Sequence, residues 1–145
     1  MNITIAKAEE CNELVDFLNG VFGRGQATMP HFDQMYPDIF KPTAEKMAPH
    51  AIIKDEETGK ILSCVGSYPF DMVVSGCKVP IIGIGQVSTA AEALGKGYMS
   101  ALLKYQINAA KEAGAVLAWL GGRHDRYGHF GFETASLAFQ YGFDK

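Results

Sequence analysis

The stretch from Gly83 to Ser100, GIGQVSTAAEALGKGYMS, has residue types that could bind an anion. It reads as an apolar strand, a loop of small residues, two glycines flanking Lys96, and the start of a helix. The first N–H groups of a helix have no partner within it, and the helix dipole adds positive potential there. Gly95 and Gly97 would let a phosphate approach the backbone, and Lys96 adds positive charge. We expect a phosphate-binding loop here, although a plain tight turn explains the two glycines about equally well.

Two familiar phosphate-binding motifs do not fit this stretch. Gly83 to Ser88 lacks the third glycine of a dinucleotide fingerprint, and no acidic residue ends a strand about 20 residues later. The GKGYMS sequence lacks the spacing of a P-loop. The pattern therefore indicates a site for a different kind of pyrophosphate carrier.

Other residues with reactive side chains have simpler interpretations. His124, Asp125 and His129 lie close together in the sequence, but they lack a third well-spaced ligand, so we expect a surface turn and no metal. Glu92 precedes the helix, where the dipole favours an acid, and this explains it better than a role as a base. Ser100 either touches a phosphate or is an ordinary helix residue.

The elements that must position the loop follow from hydrophobic periodicity. Asn2 to Ala6 predicts a strand, and Glu9 to Phe22 predicts an amphipathic helix. The apolar stripe of this helix is expected to be buried and comprises Cys11, Leu14, Val15, Leu18, Val21 and Phe22. Residues 23–47 contain three prolines, which predicts short helical turns in a long loop. The aromatic residues in and beside that loop either wall a substrate pocket or form a hydrophobic contact beneath it: Phe22, Phe32, Tyr36 and Phe40.

From His50 the pattern changes to an antiparallel meander of three strands, HAIIKD, KILSCVGSYPFDMVV and CKVPIIGIGQVST. Pro69 and Pro80 cannot donate to a ladder, so they should lie on an edge or at a bulge. A second helix is predicted over 97–113, with one side formed by Tyr98, Ala101, Leu102, Tyr105 and Ala109. A buried strand over 115–120, a short helix or turn over 124–130 and a final strand over 133–143 should follow. The order predicts an α/β (α+β) fold, with a mixed, mostly antiparallel central sheet flanked by helices.

Composition excludes several classes of protein. With 145 residues and 48% hydrophobic residues, the chain fits one folded domain spanning 1–145. Thirteen basic against sixteen acidic residues give a net charge of −3, which favours neither a nucleic-acid nor a membrane partner. The three cysteines are odd in number and far apart, so neither a disulfide framework nor a zinc site is indicated. We expect a cytoplasmic protein, with a homo-oligomer left open.

Two motifs resemble those of the GCN5-related N-acetyltransferases. VSTAAEALGKGYMSALL is similar to that family's V-x-x-x-P-x-x-R-G-x-G-x-x-x-A-L-L, and about 30 residues later Tyr127 to Phe132 matches its Y-x-x-x-G-F. Gly97 matches strictly, whereas Leu94 replaces the usual Arg or Gln and Met99 replaces a small residue. The arrangement looks closest to the amino-terminal domain of the enhanced-intracellular-survival branch, whose members commonly continue into further domains. The chain could thus be a stand-alone relative or an excised domain.

The resemblance implies acetyl-coenzyme A as cosubstrate, an amine on a small molecule or peptide as acceptor, and no metal. Tyr127 matches the family's general acid, which protonates the departing thiolate. A splayed strand would offer N–H groups near Val87 to the thioester oxygen, and Val87 and Thr89 would hold the pantetheine arm. The residues expected to bind the cosubstrate are Val87, Ser88, Thr89, Leu94, Gly95, Lys96, Gly97, Tyr98, Met99 and Ser100.

The residue pattern does not identify a general base. Many relatives place a carboxylate on the central strand, but no Asp or Glu lies between Asp71 and Glu92. In the resembled branch the carboxyl terminus of the longer protein can act as base. If the chain ends at Lys145, the carboxylate of that residue would be the substitute. Two other functions stay open: a catalytically silent acyl-coenzyme A binding or regulatory domain, and a binding module that takes no nucleotide.

Overall fold

The computed structural model describes residues 1–135, which form a five-stranded sheet in the order β1-β2-β3-β4-β5. The strands are Ile3–Ile5 (β1), His50–Lys54 (β2), Ile61–Val74 (β3), Cys77–Thr89 (β4) and Leu117–Trp119 (β5). The first four pair antiparallel, and β5 joins β4 in parallel. This confirms the predicted mixed, mostly antiparallel sheet with its three-stranded meander.

The helices are Cys11–Phe22 (α1), Phe32–Met35 (α2), Ala44–Met47 (α3), Tyr98–Glu112 (α4) and His124–Tyr127 (α5). Single 3-10 turns occupy Ala8–Glu10, Ala91–Ala93 and Gly128–Phe130. Both long helices and the short turns of the proline-rich region were predicted. No helix in the described part of the chain is long and apolar enough to span a membrane. Most of the predicted final strand, residues 136–143, lies outside the described residues.

The central strands are buried on both faces. Because successive side chains of a strand point to opposite faces, Cys64 packs with Leu14 of α1 whereas Val65 packs with Leu102 and Leu103 of α4. Every residue of β3 from 61 to 67 is buried. Beyond that point β3 extends past β2, and Pro69 lies on this unpaired edge, as predicted.

The buried face of α4 differs from the predicted one. Its buried residues are Leu102, Leu103, Gln106 and Ala110, whereas Tyr105 is 41% exposed and Ala109 is exposed. The polar side chain of Gln106 faces the core because its Nε2 donates to the carbonyl oxygens of Pro49 (2.8 Å) and Val65 (2.9 Å). A hydrophobic pattern cannot show that a glutamine belongs to the core, so the apolar side predicted from the sequence shares only Leu102 with the buried face.

Two other predictions of burial were also wrong. In α1, Cys11, Leu14, Val15 and Leu18 are buried, but Val21 is half-buried and Phe22 is 40% exposed at the end of the helix. The apolar run around β5 is not buried, since Val116, Leu117 and Trp119 are each more than half exposed within the described part of the chain.

The true face of α4 can be tested with two neighbouring residues. Leu103→Ala should lower the free energy of unfolding by about 2–5 kcal/mol, because Leu103 is fully buried. The matched variant Lys104→Ala should change it by less than about 0.5 kcal/mol, because Lys104 is exposed. Urea unfolding of both variants measures the difference, and similar losses would contradict this packing.

Candidate active site at the bulge of strand β4

Strand β4 carries a bulge that splits its pairing with β3. Cys64 pairs with Ser88 but Gly66 pairs with Gly85, so Gln86 and Val87 together lie opposite one residue of β3. Gln86 has a φ of 47°, a left-handed conformation that is uncommon for a residue with a side chain. The bulge therefore fixes the local direction of the backbone at Gln86 and Val87.

The other edge of β4 loses its partner just before the bulge. Among the described residues, β5 pairs with β4 through Ile81, Ile82 and Gly83 alone. Beyond these residues lies a cavity of about 290 Å³, which we call the cleft cavity. Its walls include residues 84–87 of β4 on one side and residues 120–123 on the other. The predicted splayed strand is thus present in the structure.

The glycine loop leads into α4 with free backbone donors. Gly97 precedes the first helical residue and has a φ of 77°, which a residue without a side chain adopts readily. Within residues 1–135, the N–H groups of Gly95, Gly97, Tyr98, Met99 and Ser100 have no hydrogen-bond acceptor. Lys96 N–H contacts the Ala93 carbonyl only at 3.4 Å. Residues 94–97 are exposed, so these donors are available to an anion.

A cavity of about 700 Å³ lies over this loop, and we call it the loop cavity. Nine of the ten predicted cosubstrate-binding residues line it, whereas Lys96 is exposed outside its lining. The nine are Val87, Ser88, Thr89, Leu94, Gly95, Gly97, Tyr98, Met99 and Ser100. Arg24, Arg126 and His129 line it as well. The site thus combines backbone donors with cationic side chains, which suits a phosphorylated ligand.

A third cavity, of about 600 Å³, lies beside the proline-rich region, and we call it the aromatic cavity. Phe22, Phe32 and Tyr36 line it, as the sequence suggested, together with Gly85 and Gln86 of the bulge. The fourth predicted aromatic residue, Phe40, is buried behind them and packs edge-on against Phe32 at 5.9 Å between ring centroids.

The three cavities meet along the bulge. Phe22, Val87 and Arg126 line both the loop cavity and the cleft cavity. Phe22, Gly85 and Gln86 line both the cleft cavity and the aromatic cavity. A molecule bound at the glycine loop could therefore meet a second molecule from the aromatic side at the bulge. A further cavity of about 630 Å³, between α4 and the β3–β4 hairpin, includes none of the predicted site residues.

Tyr127, the predicted acid, lines the cleft cavity from α5. Its side chain is 7% exposed and packs edge-on with Phe132 at 6.2 Å between ring centroids. The backbone of Gly122 also comes close to the ring, since a Cβ there would lie 2.5 Å from Tyr127 Cε2. Packing thus fixes the phenol at the edge of the cleft.

Among the described acidic groups, Glu133 lies beside this site, in a cavity of about 330 Å³ that Tyr127 and residues 118–124 also line. The linings of the three cavities contain no Asp or Glu within the described part of the chain. Asp125 is held by Arg123, whose Nε donates to Oδ1 at 3.0 Å, and this guanidinium lowers the pKa of the carboxyl group. His124 faces Glu133 at 3.2 Å. Among residues 1–135, no three His, Cys, Asp or Glu side chains are grouped to hold a metal ion. Lys145 lies outside the described residues.

Sequence reasoning missed the bulge and the arginines. The bulge had a usable signal, because Gly66 and Gly85 interrupt otherwise apolar strands, and such glycines mark bulges or close approaches. A Cβ at Gly66 would lie 2.6 Å from the Tyr68 hydroxyl group, so this glycine marks such an approach. Arg24 and Arg126 are distant from the loop in sequence, and only the fold brings them to it.

The contact between Gly122 and Tyr127 can be tested with a neighbouring glycine. Gly122→Ala should lower the free energy of unfolding by about 1–3 kcal/mol, because the new methyl group overlaps the Tyr127 ring. Gly121→Ala meets no atom within 4 Å and should cost less than about 0.5 kcal/mol. Urea unfolding gives both values, and a Gly122→Ala protein as stable as the wild type would contradict the described position of the ring.

Several solved structures share this fold at low sequence identity. A protein of Clostridium acetobutylicum, described as a predicted acetyltransferase with acetyl-CoA, superposes with a TM-score of 0.75 at 17% identity, covering 97% of this chain and 95% of that one. Glucosamine-6-phosphate N-acetyltransferase from Arabidopsis thaliana gives 0.70 at 18% identity, with coverages of 99% and 98%. A probable N-acyltransferase of Enterococcus faecalis gives 0.71 at 20% identity; 90% of this chain matches, but it spans only 31% of that protein.

Comparison with curated proteins finds no match to the sequence. The family model of the Acetyltransferase (GNAT) domain, in contrast, matches residues 2–135. This match covers nearly all of the chain and includes both motifs noted in the sequence. The likeness to solved acetyltransferases agrees with it at the level of the fold. The chain belongs to the GNAT family of acetyltransferases.

Proposed function

We propose that this protein is an N-acetyltransferase that moves the acetyl group of acetyl-coenzyme A to a primary amine by direct attack on the thioester. The observation that carries the proposal is the set of free N–H groups at Gly95, Gly97, Tyr98, Met99 and Ser100, which open into the loop cavity. A diphosphate has enough acceptor oxygens to engage several such donors at once, and the dipole of the 15-residue helix α4 favours its charge.

Charged side chains support the same ligand. Arg24 and Arg126 approach the loop cavity from other parts of the fold, and Arg126 also reaches the cleft cavity. In this arrangement they neutralise phosphate charge, which compensates for the missing arginine or glutamine at Leu94. Leu94 and Met99 stand where the family has other residues, but their backbone N–H groups are still present.

The reaction is assigned to the cleft cavity. The neutral amine nitrogen attacks the thioester carbonyl carbon, negative charge develops on the carbonyl oxygen, and the carbon–sulfur bond breaks. The Val87 N–H beside the bulge donates to the developing oxyanion, a contribution that is worth about 3 kcal/mol when such a donor is preorganised. Tyr127 donates its proton to the departing thiolate and recovers one from water. The amine loses its extra proton to solvent, since the described walls offer no carboxylate.

The aromatic cavity is the proposed acceptor side. Its walls combine Phe22, Phe32 and Tyr36 with the uncharged polar side chains of Gln26 and Thr28. Such walls suit an amine on an apolar or aromatic body, because a polycation would need carboxylates that the described walls do not supply. The acceptor is therefore proposed to be a small amine or a single amino group of a peptide.

The residue pattern also supports a place within the family. We propose that residues 1–145 form one acetyltransferase domain, closest to the amino-terminal domain of the enhanced-intracellular-survival branch. The support is the pairing of VSTAAEALGKGYMSALL with the later Tyr127 to Phe132 motif.

Binding of coenzyme A is the first test of the proposal. At 100 times its dissociation constant, coenzyme A should stabilise the wild-type protein by about 2.7 kcal/mol, measured as a rise in melting temperature. Ser100→Glu should lower the affinity at least about tenfold, because its carboxylate competes for the free N–H groups while favouring the helix itself. Ser100→Gln has the same size without the charge and should lose much less. A wild-type protein that coenzyme A does not stabilise would leave a binding module that takes no nucleotide.

An assay of thiol release by the wild-type protein and a Tyr127 variant distinguishes an enzyme from a catalytically silent binding domain. With a panel of primary amines, the wild-type protein should release thiol from acetyl-coenzyme A, and Tyr127→Phe should reduce this rate by about tenfold or more. The affinity for coenzyme A should stay unchanged, because the ring and its packing are kept. Tyr105→Phe, on the exposed side of α4, is the control. Binding without any thiol release by the wild-type protein would favour the silent domain.

A further inference from the structure

A chain of polar side chains lies behind the bulge. His50 is fully buried, and its Nδ1 lies 3.2 Å from the Met47 carbonyl oxygen. Its Nε2 lies 2.9 Å from the Tyr68 hydroxyl oxygen, which in turn lies 2.5 Å from the terminal amide of Gln86. Gly66 leaves room for this last contact, since a Cβ there would collide with both Tyr68 and Gln86. No sequence pattern connects these residues.

Counting protons fixes the direction of these hydrogen bonds at the histidine. The Met47 carbonyl can only accept, so His50 Nδ1 must carry a hydrogen. Burial lowers the pKa of His50 to about 4, so at neutral pH the ring carries no second hydrogen. Nε2 is then an acceptor, and the Tyr68 hydroxyl group donates to it. Burial also raises the pKa of Tyr68, which keeps that hydroxyl group protonated.

The same count determines which end of the Gln86 amide faces Tyr68. Tyr68 has a single hydroxyl hydrogen, and once His50 takes it the tyrosine oxygen can only accept. Gln86 Oε1 faces Tyr68 in the structure, and with His50 Nδ1 donating to Met47 this orientation would require a charged His50 in a buried position. A half-turn of the amide exchanges its oxygen and nitrogen with almost no change in shape. With neutral His50, Gln86 Nε2 donates to Tyr68, the Tyr68 hydroxyl group donates to His50, and His50 donates to Met47. We call this series of hydrogen bonds the relay.

After this half-turn the Gln86 carbonyl oxygen takes the place of the amide nitrogen, for which the described residues show no hydrogen-bond partner. Gln86 is half-buried and lines both the cleft cavity and the aromatic cavity. It also stands next to Val87, the residue assigned to the oxyanion. An acceptor oxygen is thus held at the junction where the amine must approach.

We propose that the Gln86 side-chain carbonyl, held by Tyr68 and His50, accepts a hydrogen bond from the acceptor amine and aims its lone pair at the thioester. This assignment rests on the proposed function. Gln86 touches the substrate, whereas Tyr68 and His50 are positioning residues. An amide is no base, so Gln86 orients the amine and takes no proton from it. The relay orients the amine at a position where the described walls lack a carboxylate.

The state of the His50 ring is the first test, and it needs neither coenzyme A nor an acceptor. Nuclear magnetic resonance of the protein with 15N-labelled histidine distinguishes the two neutral tautomers from the cation. At pH 7 the His50 ring should be neutral with its hydrogen on Nδ1. A hydrogen on Nε2, or a charged ring, would reverse the relay and overturn the assignment of the Gln86 oxygen.

Kinetics of matched variants are the second test, with benzylamine, tyramine and ethanolamine as probes. Gln86→Met keeps the length of the side chain and should raise KM for the amine at least about tenfold, with the affinity for coenzyme A within about threefold. Tyr68→Phe should act in the same direction with a smaller effect. Gln34→Met, an exposed change outside the cavities, should alter neither value.

The outcomes separate this assignment from the proposed function. An unchanged KM for the amine in Gln86→Met, or an equal loss of coenzyme A affinity, would show a purely structural role and overturn the assignment. Failure of the wild-type protein to bind coenzyme A or to acetylate any probe would overturn the proposed function and, with it, the role of Gln86. The tautomer of His50 would then still report whether the relay exists.

Discussion

Every part of the candidate site depends on the place where strand β4 loses its regular hydrogen bonds to the neighbouring strands. It is paired on both edges through Ile81, Ile82 and Gly83, then loses β5 on one side and regular pairing with β3 on the other. A strand that stayed paired throughout would have its N–H groups engaged and would leave no gap in the sheet. The two interruptions occur within a few residues of each other. They open the cleft and turn the backbone at Gln86 and Val87 in the same place.

The rest of the core packs around the part of β4 where the pairing is interrupted. β3 is buried on both faces along residues 61–67, and α4 is tied to it by the Gln106 amide as well as by apolar contacts. These contacts place the start of α4 beside the last residues of β4, where both line the loop cavity. The glycine loop, whose backbone donors are free, is thus positioned by a core that has few degrees of freedom.

Local patterns in the sequence predicted much of this fold. The meander, the long loop and the start of α4 just after Gly97 followed from glycine, proline and apolar spacing. Nine residues of the loop cavity were expected from the family resemblance. What failed depended on contacts between distant residues. Gln106 lies in the core because its amide donates to the carbonyl oxygens of Pro49 and Val65. Gln86 adopts a left-handed backbone conformation at the point where the pairing register of β3 and β4 shifts. Spacing along one segment carries no information about either partner.

The chemistry of the amine shows why orientation matters at this site. A primary amine with a pKa near 10.4 is roughly one part in a thousand neutral at pH 7. The cationic form cannot attack, and neither Gln86 nor Tyr127 is suited to remove its proton. In the proposed reaction the site therefore binds the rare neutral amine from solution and orients it for attack. In this proposal the apolar walls favour the neutral amine over the hydrated cation, and the Gln86 carbonyl oxygen directs the lone pair of the amine at the thioester carbon. In this arrangement the protein supplies geometry and the solvent supplies the proton acceptor.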